Sequence, residues 1–212
     1  MRDFDADRRA MVAEQLEARG LSDRRVLDAM TRVPRELFVD ERDADVAYAD
    51  MPLRIGFGQT ISQPYMVALI CQEADVEAGE HVLDIGTGSG YQAAVLAELG
   101  ADVDTVERIA GLADKARRNL ARAGYDGVTV HVGDGSLGLA DEAPFDAVAV
   151  AAAAPEVPWS LYEQLAPGGR LVVPVGSPDG QRLEVVTRSE DGPAVTRSVP
   201  CRFVPLVGAE GY

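Results

Sequence analysis

The stretch HVLDIGTGSGYQAAVLAELG, residues 81–100, decides the fold of this chain. It begins with a short run rich in apolar residues, which predicts a strand ending at Ile85. Glycines follow at positions 86, 88 and 90, and apolar residues then recur at helical spacing from Tyr91 to Leu99. The stretch therefore predicts a strand, a glycine-rich turn and a helix in direct succession.

Segments on the C-terminal side of this unit repeat the alternation. Strand-like runs occur at DVDTVE (102–107), VTVHV (128–132) and FDAVAVA (145–151), and a helical pattern lies between the first two. Because parallel strands need crossover connections, the alternation predicts an α/β fold with a doubly wound, mostly parallel, Rossmann-like sheet. Ligands of such sheets bind outside the carboxyl ends of the strands.

The C-terminal third of the chain carries a different pattern. GRLVVPVG (169–176) and QRLEVVTR (181–188) are joined by the turn-forming tetrapeptide SPDG, and AVTRSVPCRFVPLVG (194–208) follows. Two strand-like runs joined by so short a turn indicate a hairpin. We therefore expect antiparallel strands to extend the sheet here.

The N-terminal segment predicts helices. Apolar residues at helical spacing predict one helix over residues 6–19 and a second that Ser22 caps. No repeat or long linker divides the sequence. We expect one domain over residues 1–212, with a helical extension over residues 1–60 and a cofactor-binding core over residues 61–212.

Composition excludes several classes of function. Thirty-five acidic and 20 basic residues give a net charge of −15, which argues against nucleic acid or an anionic membrane as a partner. The first twenty residues are charged throughout and no apolar run approaches the length of a membrane span, so we expect a cytoplasmic protein. Cys71 and Cys201 belong to no Cys/His cluster, and neither a disulfide framework nor a metal site is indicated.

The glycine-rich turn has the composition of an anion-binding loop, because glycine admits close backbone approach and a helix start offers free N–H groups. A dinucleotide fingerprint would need glycine or alanine where Tyr91 stands, and no Gly-Lys-Ser/Thr sequence follows. S-adenosylmethionine fits better: its carboxylate suits the backbone donors and Asp84 suits its ammonium group. Two further acids follow the next strands, Glu107 where ribose hydroxyls are bound and Asp134 where the adenine amino group could be held.

Longer motifs resemble one family over nearly the whole chain. They are VPRELFVDE (33–41), GQTISQPYMVA (58–68), VLDIGTGSGYQAAVLA (82–97), LAPGGRLVVPVG (165–176) and RFVPLVG (202–208). These motifs are similar to those of the protein-L-isoaspartate (D-aspartate) O-methyltransferases. The resemblance implies methyl transfer from S-adenosyl-L-methionine to the free α-carboxylate of L-isoaspartyl residues in damaged proteins and peptides, after which a succinimide forms and partly reopens to aspartate.

The same resemblance assigns the site residue by residue. Ser62 is implied as the catalytic residue, and Thr60, Ile61, Ser62 and Gln63 as the loop over the acceptor. The residues implied in cofactor binding are Asp84, Gly86, Gly88, Glu107, Asp134 and Gly135. No metal is implied, and we expect a monomer.

The acceptor chemistry agrees with the residues present. A carboxylate with a pKa of about 4 is already ionised at neutral pH, so its methylation needs no general base. The only histidines, His81 and His131, lie beside predicted strands, where we expect structural roles. Hydroxyl groups at Thr60 and Ser62 could orient such an acceptor, although Ser62 could equally cap the helix that begins near Pro64.

Other functions remain open from the residues alone. One is a methyltransferase of another small-molecule or RNA acceptor, for which residues 50–70 show no aromatic or basic pocket. Another is a module that binds S-adenosylmethionine without turnover. A third is a nicotinamide dehydrogenase, which Tyr91 disfavours.

Overall fold

The computed structural model describes residues 2–212. The strand predicted from the glycine-rich unit lies inside a seven-stranded sheet of order β5-β4-β3-β6-β7-β8-β9. The strands are β1 (Leu53–Gly56), β2 (Gln59–Ile61), β3 (His81–Ile85), β4 (Asp102–Glu107), β5 (Thr129–Val132), β6 (Phe145–Val150), β7 (Leu165–Ser177), β8 (Gly180–Ser189) and β9 (Gly192–Cys201). Strands β1 and β2 form a separate antiparallel hairpin.

Strand directions agree with the predicted fold class. Strands β3, β4, β5, β6 and β7 pair in parallel, whereas β7–β8 and β8–β9 pair antiparallel. The prediction of a doubly wound, mostly parallel sheet with antiparallel C-terminal strands is confirmed. One detail differs from the strand pattern predicted over residues 194–208. Strand β9 ends at Cys201, and the chain then leaves the sheet. Pro205 lacks the N–H group that a ladder needs.

The helices are α1 (Phe4–Met11), α2 (Arg24–Arg32), α3 (Pro64–Ala74), α4 (Tyr91–Glu98), α5 (Ala110–Ala123) and α6 (Trp159–Glu163). The helix predicted over residues 6–19 is not uniform. It passes from α1 into a π-helical turn (Val12–Leu16) and a 3₁₀ turn (Glu17–Arg19). The predicted cap of the second helix was wrong: the Asp23 carboxylate, not Ser22, accepts a hydrogen bond from the Arg25 N–H.

Both faces of the sheet are buried, as parallel sheets require. Successive side chains of a strand point to opposite faces, so Val82 packs in one apolar cluster and Leu83 in the other. Apolar residues of the N-terminal helices, including Leu16 and Met30, belong to the same cluster as Val82. No helix within residues 2–212 is both long and apolar enough to cross a membrane.

Candidate active site

The glycine-rich loop follows β3 at its carboxyl end. Gly86, Gly88 and Gly90 all have left-handed backbone angles, with φ of 89°, 55° and 93°. Other residues rarely adopt these angles, which is the physical reason for the glycine spacing. The Gly86 N–H donates to the Val106 carbonyl and the Gly90 N–H to the Thr87 carbonyl, so the loop is held in shape by the backbone.

A cavity of about 890 Å³, including the solvent space at its mouth, opens at this loop. Its walls come from the ends of β2, β3, β4 and β6 and from the C-terminal segment. The predicted residues that line it are Thr60, Ile61, Ser62, Gly86, Gly88, Glu107 and Gly135.

Glu107 forms the polar floor of the cavity at the end of β4. Its side chain is only 6% exposed, and its oxygens accept hydrogen bonds from the N–H groups of Gly88 and Ile109, both at 3.0 Å. A carboxylate offers about four acceptor positions. Glu107 can therefore accept two more hydrogen bonds, as a ligand with a pair of hydroxyls requires.

Asp84, which is predicted to contact the cofactor's ammonium group, does not itself line the cavity. The side chain is fully buried, and it accepts hydrogen bonds from Gln92 Nε2 at 2.8 Å and from Thr105 Oγ1 at 2.7 Å. Burial raises the pKa of Asp84 to about 6. Asp84 is two residues from Val82 on the same strand, so its side chain points to the same sheet face, where Val82 packs in an apolar cluster.

Gln92 lies between Asp84 and the cavity, and no sequence motif predicted it as a site residue. Its Nε2 donates to Asp84, while its buried Oε1 has no hydrogen-bond partner within residues 2–212. The residue itself lines the cavity. A buried acceptor without a donor is costly, so Gln92 is suited to receive a donor from a ligand. The signal was a glutamine among the small and apolar residues of the first turns of α4, QAAVLA.

Of the two neighbouring predicted residues Asp134 and Gly135, only Gly135 lines the cavity. Gly135 lines the cavity, and a Cβ there would lie 2.8 Å from Ile85 Cγ2. The Asp134 carboxylate instead accepts hydrogen bonds from the N–H and hydroxyl groups of Ser136 and from the Ala209 N–H. Partial burial opposes these bonds, yet they hold the pKa of Asp134 below its ordinary value. Asp134 thus ties the C-terminal segment to the rim.

Ser62 lies in the short connection between β2 and α3. Its hydroxyl caps no helix: the N-cap position of α3 is Gln63, which makes no side-chain cap bond, and Pro64 begins the helix. Neither the Ser62 nor the Thr60 hydroxyl has a hydrogen-bond partner within residues 2–212. The helix-cap interpretation of Ser62 was therefore wrong, and both hydroxyls are available to a ligand.

A second cavity, of about 910 Å³ on the same measure, adjoins the first. Thr60, Ser62, Ala151 and Val204 line both. Gln63 lines only the second, and its Nε2 donates to Asp50 at 3.3 Å. The two hydroxyls of the loop consequently stand at the junction between two binding spaces.

The Arg35 guanidinium supports the backbone at this junction, and no sequence motif predicted that role. It is fully buried and donates to the carbonyls of Ala47 at 2.7 Å and Ser62 at 2.8 Å. Its guanidinium also lies 4.8 Å from the centre of the Tyr91 ring. Burial lowers the pKa of Arg35 to about 10, so the group remains a cation at neutral pH. Arg35 thereby fixes the backbone of Ser62.

The histidines lie outside both cavities. Nε2 of His81 is 2.8 Å from one oxygen of Asp104, and Nε2 of His131 is 2.6 Å from the other. Within residues 2–212, no group of three histidine, cysteine or acidic side chains is arranged to hold a metal ion. The contacts to Asp104 fit the structural roles expected for both residues.

Replacing Asp84 with asparagine is expected to stabilise the ligand-free protein at alkaline pH. Because the folded pKa of about 6 exceeds the ordinary value of 3.8, the folded state binds the proton more tightly. The stability that Asp84 contributes therefore falls as pH rises from about 4 to 6, by about 3 kcal/mol in total. Asparagine can keep both hydrogen bonds if the Thr105 hydroxyl donates to Thr87 instead, since these hydroxyls lie 2.7 Å apart.

Urea unfolding of wild type and Asp84→Asn at pH 4.5 and pH 8 measures this effect. We expect similar stability at the lower pH and an advantage of about 1–3 kcal/mol for the variant at pH 8. A variant that is less stable than wild type at pH 8 would contradict the argument.

Comparison with known proteins gives a consistent result. A family model described as "Protein-L-isoaspartate(D-aspartate) O-methyltransferase (PCMT)" matches residues 6–211. A protein-L-isoaspartate O-methyltransferase of Geobacter metallireducens is 54% identical over 210 residues, which are 99% of this chain and 97% of that protein. One of Methanoculleus marisnigri is 51% identical over 206 residues, covering 97% and 94% of the two chains.

Solved structures of the same description superpose closely. One protein-L-isoaspartate O-methyltransferase has a TM-score of 0.85 at 29% identity, covering 96% of this chain and 67% of its own. A Plasmodium falciparum protein of that description, crystallised with S-adenosyl-L-homocysteine, has a TM-score of 0.82 at 27% identity. That match covers 94% of this chain and 98% of the other.

Proposed function

Because the chain belongs to the protein-L-isoaspartate (D-aspartate) O-methyltransferase family, we propose that Thr60 and Ser62 hold the acceptor carboxylate at the junction of the two cavities. The enzyme transfers a methyl group from S-adenosyl-L-methionine to isoaspartyl residues of proteins and peptides. The observation that carries the proposal is that the two partnerless hydroxyls border both spaces. One space would then hold the methyl donor and the other the acceptor.

The first cavity fits the cofactor through its polar groups. Glu107 would accept from the ribose hydroxyls, and the partnerless Oε1 of Gln92 would accept from the ammonium group. The N–H groups of Gly86, Gly88 and Gly90 already donate within the protein, so the carboxylate would need other donors. Asp84 would act through Gln92, since its negative charge lies behind that amide. Gly135 lets this wall of the cavity pack closely on Ile85, which a Cβ would prevent. When bound, S-adenosylmethionine supplies a methyl group on a cationic sulfur.

The protein's part in the reaction is orientation. The acceptor arrives as an anion, so no residue has to remove a proton. The hydroxyls of Thr60 and Ser62 would donate hydrogen bonds to it, and the nearby start of α3 adds a favourable positive end. Arg35 would keep Ser62 in place through its carbonyl. Correct orientation is worth at best about 7–11 kcal/mol in model reactions.

A matched pair of peptides tests the function. One sequence is made with an aspartyl and with an isoaspartyl linkage, and transfer of labelled methyl groups is measured. We expect label on the isoaspartyl peptide alone. Equal labelling of both, or of neither, would overturn the proposal.

Thermal unfolding offers a second test. S-adenosylhomocysteine is expected to raise the melting temperature, because a ligand that binds only the folded state stabilises it, whereas NAD is expected to have no effect.

The same experiment with RNA and with anionic vesicles tests our further proposal that neither is a partner. That proposal is supported by the net charge of −15. We also propose a single-domain monomer, and sedimentation measures the oligomeric state.

Aged enzyme is expected to methylate itself. Asp-Gly pairs form succinimides readily when the backbone is flexible, and exposed pairs occur at Asp126, Asp179 and Asp191. Asp134, by contrast, is held by three hydrogen bonds. We expect label from the cofactor at the three exposed sites after ageing and little at Asp134, as measured by mass spectrometry.

Gly127→Ala and Gly180→Ala provide the control, since a Cβ at either position meets nothing within 4 Å. Each should reduce labelling at the preceding aspartate without changing the fold. Aged protein that acquires no label would refute the expectation.

A further inference from the structure

The second cavity continues away from Ser62 into a longer groove. A neighbouring recess shares Gln63, Met66 and Arg202 with it. The recess is also lined by Tyr65 and by the end of β9. We call the two together the acceptor groove. A groove that starts at the proposed methyl acceptor and runs along the surface has the form needed by an extended peptide.

The C-terminal segment forms one side of this groove. After β9 the chain crosses to the end of β6, where the Ala153 N–H donates to the Val204 carbonyl and the Leu206 N–H donates to the Ala153 carbonyl. These two bonds hold the segment against the end of β6, and Arg202 lines the second cavity together with Ala151. The position of Arg202 is therefore set by backbone pairing.

Arg202 is the cation that the groove leaves free. It is exposed and has no hydrogen bond or ion pair with any group in residues 2–212. The other arginine of the groove, Arg19, pairs with Asp50 and stacks over the Tyr65 ring at 3.6 Å. In a chain with 35 acidic residues, an arginine without a carboxylate partner is available for an external one.

We infer that Arg202 binds a carboxylate on a residue flanking the isoaspartyl residue, so that the enzyme selects acidic acceptor segments. The inference rests on the proposed function. A guanidinium binds a carboxylate through two parallel hydrogen bonds, which an ammonium group cannot reproduce. Because Arg202 and Ser62 line the same cavity, and an extended chain advances at most about 3.6 Å per residue, the flanking residue lies within a few positions of the acceptor.

Isoaspartyl peptides with one glutamate or one glutamine test this inference. The variable residue is moved through the three positions on each side of the isoaspartyl residue, and kcat/KM is measured. We expect a preference for glutamate of roughly three- to tenfold at one or two adjacent positions and none elsewhere. Arg202→Gln should abolish that preference, and Arg202→Glu should make a lysine peptide the better substrate.

Arg182→Gln is the matched control. Arg182 is an exposed arginine that donates to the Ser198 carbonyl and lines neither part of the groove, so its loss changes the net charge equally. It should leave the glutamate preference unchanged. The inference is overturned if Arg202→Gln retains the wild-type preference, if wild type shows none, or if Arg182→Gln removes it as well. A failure of all isoaspartyl peptides to accept methyl groups would instead count against the proposed function.

Discussion

Ser62→Ala is expected to lower kcat/KM for an isoaspartyl peptide by about 10- to 100-fold. In the proposed site the variant would lose one hydrogen bond to a charged acceptor, which is worth about 1.5–3 kcal/mol. Since the Ser62 hydroxyl makes no hydrogen bond in the described part of the chain, we expect stability to change by less than about 0.5 kcal/mol. Steady-state kinetics with labelled cofactor, together with urea unfolding, measure both effects.

The control for Ser62 is Ser198→Ala, which removes a hydroxyl that lines neither cavity and donates to Glu73, and it should leave kinetics unchanged. Affinity for S-adenosylhomocysteine should be the same in wild type and Ser62→Ala. Thr60→Val tests the second hydroxyl with a side chain of similar shape. Activity of Ser62→Ala equal to wild type at every substrate concentration would show that the assigned role is wrong.

Glu107→Ala is expected to weaken cofactor binding on the order of 100- to 1,000-fold. In the proposed binding mode two ribose hydroxyls would lose a charged acceptor, and the N–H groups of Gly88 and Ile109 lose the carboxylate that fixes the loop. Glu107→Gln should be nearly as harmful, because its amide group would place a donor against one of those N–H groups. Calorimetric titration with S-adenosylhomocysteine measures the change.

Glu156→Gln is the matched control, since Glu156 is exposed and lies outside both cavities. It makes the same change in charge and should bind the cofactor normally. At saturating cofactor, the KM of Glu107→Gln for the peptide should stay close to that of wild type. An unchanged dissociation constant for Glu107→Ala would remove the ribose assignment.

Local signals explain why so much of the sheet could be predicted. Glycines at 86, 88 and 90 are required by the left-handed backbone of the loop, and apolar runs mark strands buried on both faces. The π-helical turn after Met11 has no comparable signal, because a helical spacing of apolar residues fits a regular helix equally well. The Asp23 cap was missed because Ser22 is an equally good cap residue.

The site was less predictable where contacts join distant parts of the chain. Arg35 contacts Ser62 from 27 residues away, and Arg202 reaches the junction only because residues 202–208 cross to the end of β6. The inward direction of Asp84 follows from strand parity, which depends on where the strand begins. The motif predicted that Ser62 belongs to the site. Only the structure shows that its hydroxyl has no hydrogen-bond partner within the described residues.

The bond from Arg35 to Ser62 also bears on how this enzyme can be engineered. The glycine loop and Glu107, which would hold the methyl donor, lie in the C-terminal two thirds of the chain, whereas the backbone of Ser62 is held by Arg35 from the first forty residues. A chimera with a foreign amino-terminal portion on this sheet would keep the glycine loop and Glu107. It would lose the hydrogen bond from Arg35 to the Ser62 carbonyl, unless the new portion supplied an equivalent arginine.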